Sequence, residues 1–467
     1  MSTRKLGGLA VLTTLAVACT LGATQGQTPT TDFFAPTPTI GDPTTSTSIQ
    51  VPRTTAPDIE KALLVEVDPL LNPAGEGIPM GDWWYGLPSP NQDWLITQVG
   101  HESGSAEVRL VDLVNWRVAG SWPYGWVQGQ AVTDDGIGYL VEGVAYVPNG
   151  DTPPPRLLRF QPGHEDPEGV AELPQGFNTW DQTHVDATGR LLILGFTVLD
   201  PELGGGAATL VVFDPGSGAV TETPIPSTQI GTVGQVDIGE DYQGYVNVVP
   251  GVVWDDQRSR VVVVNGDNLI ITEVDLETGQ VQSHAYSVEG WSEERPSGGA
   301  TSSAALSPDG SRLFIARTES TYEIDETNWS RSTTSKGVVV IDTASWDVVD
   351  QLDDPVGSIA LSPDGEHLLG SGYEAVESDG GYSMSPRPII DLDPDTLSVR
   401  FQLQPPNEGD FSSILSFDPT STFGYMSWWD NIAHVDVVDL ETGQIVASRE
   451  GAQVQVLGDS GLMGVSR

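Results

Sequence analysis

Cysteine is nearly absent from this sequence. Its 467 residues hold one, Cys19, so no intramolecular disulfide and no multi-cysteine zinc or iron–sulfur site can form. Lysine occurs only as Lys5, Lys61 and Lys336, and Lys and Arg together number 20 against 65 Asp and Glu. The resulting charge of −45 disfavours nucleic-acid backbones and anionic lipid headgroups as partners. Long apolar runs are missing too. Beyond the first twenty residues no stretch reaches the roughly 18 apolar residues needed to cross a bilayer. There is no Gly-x-Ser-x-Gly elbow and no phosphate loop. The six histidines, His101, His164, His184, His284, His367 and His434, show no metal-ligand spacing.

The N-terminus carries an export pattern. Arg4 and Lys5 precede an apolar run from Leu6 to Val17, too short for a membrane span and of the length of a signal-peptide core. The run ends Ala16-Val17-Ala18-Cys19. This resembles a bacterial lipoprotein box, in which the cysteine becomes the lipidated N-terminus, although Ala16 stands where such boxes usually carry Leu. The other reading is an ordinary small-x-small cleavage site, Ala16-x-Ala18, that leaves a free thiol. Lipidation is preferred because a lone exported cysteine has few other uses. Residues 1–18 are therefore expected to be a signal peptide and 19–58 a Thr/Pro-rich tether that cannot bury enough apolar surface to fold. Residues 59–467 are the expected folded domain. The protein is expected in the cell envelope, held to a membrane only through Cys19.

That domain repeats. Val274-Asp275-Leu276-Glu277-Thr278-Gly279-Gln280 recurs at 438–444, and Leu306-Ser307-Pro308-Asp309-Gly310 at 361–365. Short β-branched runs such as Arg260 to Val264, Leu191 to Leu194, Arg312 to Ala316 and Val338 to Ile341 flank these turns, with no helix-period segment. A first turn type aligns at Gln92, Gly136, Gly189, Gln257, Gly310, Gly365, Thr420 and Gly461, where glycine would supply the positive φ of a tight hairpin. A second begins at Asp112, Asp214, Asp275, Asp342, Asp393 and Asp439, with a β-branched residue six positions on, and has degenerate copies near Asp68 and Gln161. The two types alternate, with a lone second-type unit at the start and a lone first-type unit at the end. The expected fold is all-β: an eight-bladed β-propeller, or a seven-bladed one, closed by N- and C-terminal strands that share a blade.

The Ser-Pro-Asp-Gly turns followed by Val-x-Asp-x-x-Thr resemble the YVTN-type and related bacterial propeller repeats. The resemblance implies a fold and no activity. Trp-Asp at 180, 254, 346 and 429 lacks the Gly-His partner of WD repeats. Asp-x-x-Thr-Gly also occurs in quinoprotein dehydrogenases, whose repeats carry a Trp that is missing here.

The longest connections fall on one face: Asp237 to Tyr245, Glu319 to Lys336 with Tyr322 and Trp329, and Tyr373 to Arg387 with Tyr382. Variable loops on a rigid scaffold are where binding sits. Setting the inner strands in register places Trp83, Trp126, Trp180 and Phe411 at one height on that face, with Trp428, Trp429 and Asp430 in a nearby loop. Ligand contacts are accordingly expected at Trp83, Trp126, Trp180, Trp428, Trp429 and Asp430, since aromatic platforms beside carboxylates suit sugars and cations. The competing reading is that these tryptophans wedge between blades. Asp391-x-Asp393-x-Asp395 has a faint calcium-loop look without the required Gly and Glu. With no nucleophile–base pair and no metal set, the expected role is that of a monomeric, non-catalytic binding scaffold for a polysaccharide or protein partner, without a cofactor. The alternative is a metal-dependent, lactonase-like propeller hydrolase. Mass spectrometry of the mature N-terminus is expected to find diacylglycerol on Cys19; an unmodified terminus elsewhere would refute the lipoprotein reading.

Overall fold

A computed structural model describes residues 54–55 and 63–465, except 73–75, 81–82, 101–105, 125–126, 143–152, 180–181, 201–203, 240–241, 325–327, 379–380, 406–410, 430–433, 451–454 and 457–461. The expected signal peptide, Cys19 and most of the tether lie outside the described residues. Apart from one 3-10 turn, Asp256–Arg258, every described element is a β-strand.

Antiparallel quartets are the building unit, each running from an inner to an outer strand. In one of them Gly251–Asp255, Arg260–Val264, Ile270–Asp275 and Val281–Ala285 pair in order. Val261, Val262, Val263 and Val264 have no exposed surface, so the second strand is covered on both faces. The outermost strand is largely exposed. This gradient explains the sequence pattern: continuous β-branched runs where neighbours lie on both sides, polar alternation at the rim. Inner strands sit side by side around the ring, as Trp83–Pro88 with Val127–Val132 and Gly299–Leu306 with Ser358–Leu361.

Among the described residues five sheets are separate four-stranded blades, in place of the eight or seven expected. A five-stranded sheet consists of Phe411–Phe417, Phe423–Trp429, His434–Asp439 and Gln444–Glu450 with Thr54–Thr55 added in parallel. The remaining strands form one twelve-stranded sheet. The physical reason is strand length. Ala219–Gly239, Arg312–Ile324 and Trp329–Asp342 run far past the quartets they belong to, and their extensions pair with one another's neighbours. The segments expected as long loops are thus hairpins that fuse quartets. Closure follows the turn order: Ile78–Pro79, Leu63–Glu66, Leu462–Val465 and Gln455–Val456 form one sheet from both chain ends.

Both turn types are present. In the first, Gly310 N–H donates to the Ser307 carbonyl at 2.7 Å and Gly310 has φ 68°. The left-handed residue of two repeats differs from the alignment: Ser259 in place of Gln257, because the 3-10 turn shifts it, and Ser421 in place of Thr420. Gly461 lies outside the described residues. In the second type the aspartate carboxylate accepts backbone N–H groups, as Asp275 does from Glu277 at 3.0 Å and Thr278 at 2.7 Å. Trp116, Trp346 and Leu397 hold the left-handed position that Gly218, Gly279 and Gly443 hold elsewhere. The strain is offset by packing: Trp346 stacks on His284 of the neighbouring blade with ring centroids 4.2 Å apart.

These bonds hold the turn carboxyls low. Asp309 is drawn from 3.8 down to about 2 by the Ser307 hydroxyl, then by the Ser311 N–H and hydroxyl. A carboxyl depressed on folding contributes stability that is full above about pH 4 and is lost as pH falls towards 2. Thermal melts across that range should show Asp309→Asn with a lower Tm than the wild type at pH 7 and a difference that vanishes near pH 2.

Candidate functional site

The three insertions assemble into one structure. The end of Ala219–Gly239 pairs with Tyr242–Val249, which lies parallel to the inner strand Gly299–Leu306. Arg312–Ile324, Trp329–Asp342, Tyr373–Ser378 and Gly381–Pro386 complete it in that order. The result is a canopy of β-hairpins projecting away from the tight turns.

A bulge between Ala316 and Thr318 marks where the chain leaves the ring. Opposite it, Gly337 has φ 103°, and a Cβ there would lie 2.1 Å from the Leu352 carbonyl, so only glycine fits. A buried polar node sits beside the bulge. Arg317 has no exposed surface, and its Nε donates to Glu319 at 2.9 Å. Glu319 also accepts from the Ser292 N–H at 2.9 Å and hydroxyl at 2.8 Å, and lies 3.7 Å from the Lys336 ammonium. Burial pushes the nearby Asp267 carboxyl up, against the pull of Arg295 at 3.8 Å.

Cross-strand register defines the canopy faces. Tyr322, Arg331, Glu377 and Tyr382 form one row across four strands. Trp329, Ala375 and Met384 share that face, because side chains two apart point the same way. The Arg331 guanidinium lies 5.7 Å from the centre of the Tyr322 ring. The opposite face is rich in Ser and Thr, as Thr321, Ser330, Ser332, Thr334 and Ser383 show. The Tyr322 hydroxyl accepts the Tyr245 N–H at 3.2 Å, and Gly244 packs so closely on the Tyr322 ring that a Cβ would fall 2.5 Å from it. Burial raises the phenols of Tyr373 and Tyr382. Four of the exposed large apolar residues lie on the canopy: Tyr245 at 48%, Ile324 at 47%, Val376 at 45% and Tyr382 at 51%.

The expected tryptophan arc fares differently. Trp83 and Phe411 open inner strands, as the register argument requires, but their side chains are outside the described part. Trp126, Trp180 and Asp430 lie outside the described residues. Trp428 and Trp429 end a strand, Phe423–Trp429, where a loop was expected. Trp428 is 1% exposed, packed with Leu369, Ile389, Met426 and Leu440, so its ring is core and offers no platform. The three aspartates of the faint calcium pattern are dispersed. Asp391 bonds His367 at 2.8 Å, Asp393 accepts Asp395 N–H at 3.0 Å, and Asp395 bonds Arg312 at 2.6 Å. Among the described residues no group of three or more His, Cys, Asp or Glu is placed to hold a metal ion. Arg331, Arg317 and Glu319 were not singled out from the sequence; Thr318, Thr321, Tyr322 and Ile324, β-branched or aromatic residues close together, were the available strand signal.

No protein-family model matches the chain, and no curated protein matches it. Among solved structures it is similar to the dihydro-heme d1 dehydrogenase NirN in complex with DHE, with TM-score 0.50 and 15% identity over 86% of this chain and 76% of that one. The chain is a β-propeller. Saccharomyces cerevisiae Sqt1 aligns at TM-score 0.48 and 14% identity, covering 83% of this chain and 95% of its own. A eukaryotic initiation factor aligns at 0.45 and 11%, covering 88% and 99%. At these identities the likeness concerns fold alone.

The propeller and its canopy should respond differently to substitution. Glu319→Ala leaves the Arg317 charge buried without its partner and should cost about 3–5 kcal/mol in chemical denaturation. Tyr382→Ala, half-exposed at the rim, should stay within about 0.5 kcal/mol of the wild type.

Proposed function

We propose that this chain is an exported, lipid-anchored propeller that acts as a non-catalytic binding scaffold and takes a polysaccharide or protein partner on the canopy. The observation that carries this reading is the convergence of three separate insertions into one sheet with Tyr245, Tyr322, Trp329 and Tyr382 on it. Tyr245 and Tyr382 keep about half their surface in water, at 48% and 51%, and so contribute little to folding, yet they offer flat apolar area with polar tips, which is what sugar rings and interface residues engage. Arg331 and Glu377 in the same row supply hydrogen bonds of both senses. The acidic surface selects against polyanions, so neutral glycans or partners with basic residues fit best.

Export and anchoring rest on the Arg4-Lys5 start, the apolar run to Val17 and Cys19. The lactonase-like alternative needs carboxylates or histidines converging around an ion, and the described residues offer it no such set. A pull-down on purified cell-wall glycans and on envelope protein fractions compares the wild type with Tyr245→Ala/Tyr382→Ala. Retention should fall at least tenfold with an unchanged Tm. Equal retention of the folded variant would show that the canopy is not the docking surface.

A further inference from the structure

Arginines bridge neighbouring blades on the turn face. Arg190 Nη1 donates to the Leu276 carbonyl at 3.3 Å, in the second-type turn of the following repeat. Arg312 Nη1 likewise donates to the Pro394 carbonyl at 3.2 Å and meets Asp395. Each arginine stands at the same place in its repeat, opposite its own turn aspartate, as the pairing of Arg312 with Asp342 shows.

The next repeat carries His367 at that place, since Leu368 pairs with Leu392 and the preceding residue therefore faces Asp393. His367 does not cross to its neighbour. Its Nδ1 lies 2.8 Å from Asp391 Oδ2. Asp391 has no exposed surface, and its Oδ1 has no hydrogen-bond partner. Four other repeats hold Leu110, Val212, Val340 and Val437 two residues before the turn aspartate, and a fifth holds Glu273, which is partly exposed and paired with Arg260, so Asp391 is set apart by its complete burial. Arg400 is drawn back as well, with Nη2 2.7 Å from Asp393.

The withdrawal opens a cavity of about 490 Å³ between the two repeats. Glu366, His367, Arg400 and Phe401 line one side, and Asp439 and Glu441 the other, so carboxylates outnumber the one guanidinium, whose Nη2 is held by Asp393. A comparable withdrawal occurs where Arg260 turns back to Glu273 at 3.3 Å, but there the Trp346–His284 stack lies at the junction. The residue that corresponds to Trp346 at this junction is Gly443, and the Phe401 ring packs so closely on it that a Cβ there would fall 2.7 Å from the ring.

We propose that this cavity binds a guanidinium or alkylammonium group from outside the chain, seated where Arg190 and Arg312 sit at their own junctions. Leu440 occupies the position of Leu276 and Pro394, whose carbonyls accept those arginines. Asp439 commits only Oδ1 to its turn, accepting the Thr442 N–H and hydroxyl at 2.8 Å each. Glu366 and Glu441 are exposed at the rim. His367 turns Nδ1 towards Asp391, with Arg400 Nη1 3.3 Å from the same nitrogen, and Phe401 adds an aromatic wall suited to a cation. The site lies on the face opposite the canopy and does not depend on the canopy's role.

Titration calorimetry with agmatine and with a Gly-Arg-Gly amide tests this, with an uncharged urea analogue as control. Saturable binding in the micromolar to millimolar range is expected for the cations and none for the control. His367→Arg should weaken binding at least tenfold while Tm is kept or raised, because the new side chain refills the junction. Glu441→Gln, outside the core, should weaken it several-fold and serves if His367→Arg fails to fold. Tighter binding of the peptide points to an arginine side chain of a protein, and tighter binding of agmatine to a free small cation; either supports the site. Failure of both cations to saturate, or undiminished binding by His367→Arg, overturns it. Tyr382→Ala should bind the cations like the wild type, so a failed canopy leaves this result readable.

Discussion

Everything in this molecule depends on burying β-branched strands from both sides at once. Val261 to Val264 reach zero exposure only because one flank packs against Phe196, Ile225 and Ile230 and the other against Leu313, Ile315 and Val339. A quartet on its own would leave one of these faces in water, at roughly 25 cal/mol for each Å² of apolar surface. No sheet here is therefore a domain by itself. Each is completed by its neighbours, and the pairing of Leu63–Glu66 with Leu462–Val465 joins the chain ends so that this demand is met around the ring.

The turns convert that general demand into a particular register. An aspartate that accepts two backbone N–H groups needs no long-range contact to form its turn, so each hairpin is specified locally. Where glycine is replaced at the left-handed position, the substitute does inter-blade work: Trp346 stacks on His284, the Trp116 indole donates to the Glu76 carbonyl at 2.9 Å, and Leu397 is buried. Local geometry and inter-blade packing thus act through the same few residues.

This also explains what was legible in the sequence. Asp-x-x-Thr-Gly and Ser-Pro-Asp-Gly are local devices, so the turns and the all-β character could be read from one strand's neighbourhood, and the shared closing sheet from the order of the turns along the chain. The fused twelve-stranded sheet could not. Segments such as 317–324 and 329–335 are polar and look like solvated loops, because a hairpin that projects from a ring buries little and needs few apolar residues. Trp428 shows the opposite failure. Its neighbour Asp430 and the Trp-Trp pair suggested exposure, whereas alternation along Phe423–Trp429 sends the ring into a core that includes residues far away in sequence, such as Leu369. The His367–Asp391 pair was missed because Asp391 lies on the strand Ile389–Leu392 and His367 just before Leu368–Ser371, 24 residues away, and neither has metal-ligand spacing.

The bulge at Ala316 and the kink at Gly337 have a consequence for how such a molecule can change. They are the two points at which strands cease to obey the ring's geometry. Beyond them, hairpin length is limited only by pairing with the next hairpin, while below them the inner strands are held by two neighbouring blades. The canopy can therefore lengthen, shorten or be rewritten by insertion without disturbing a single inter-blade contact. The ring behaves as a fixed chassis and the canopy as an exchangeable head, with Arg317 and Glu319 as the coupling between them.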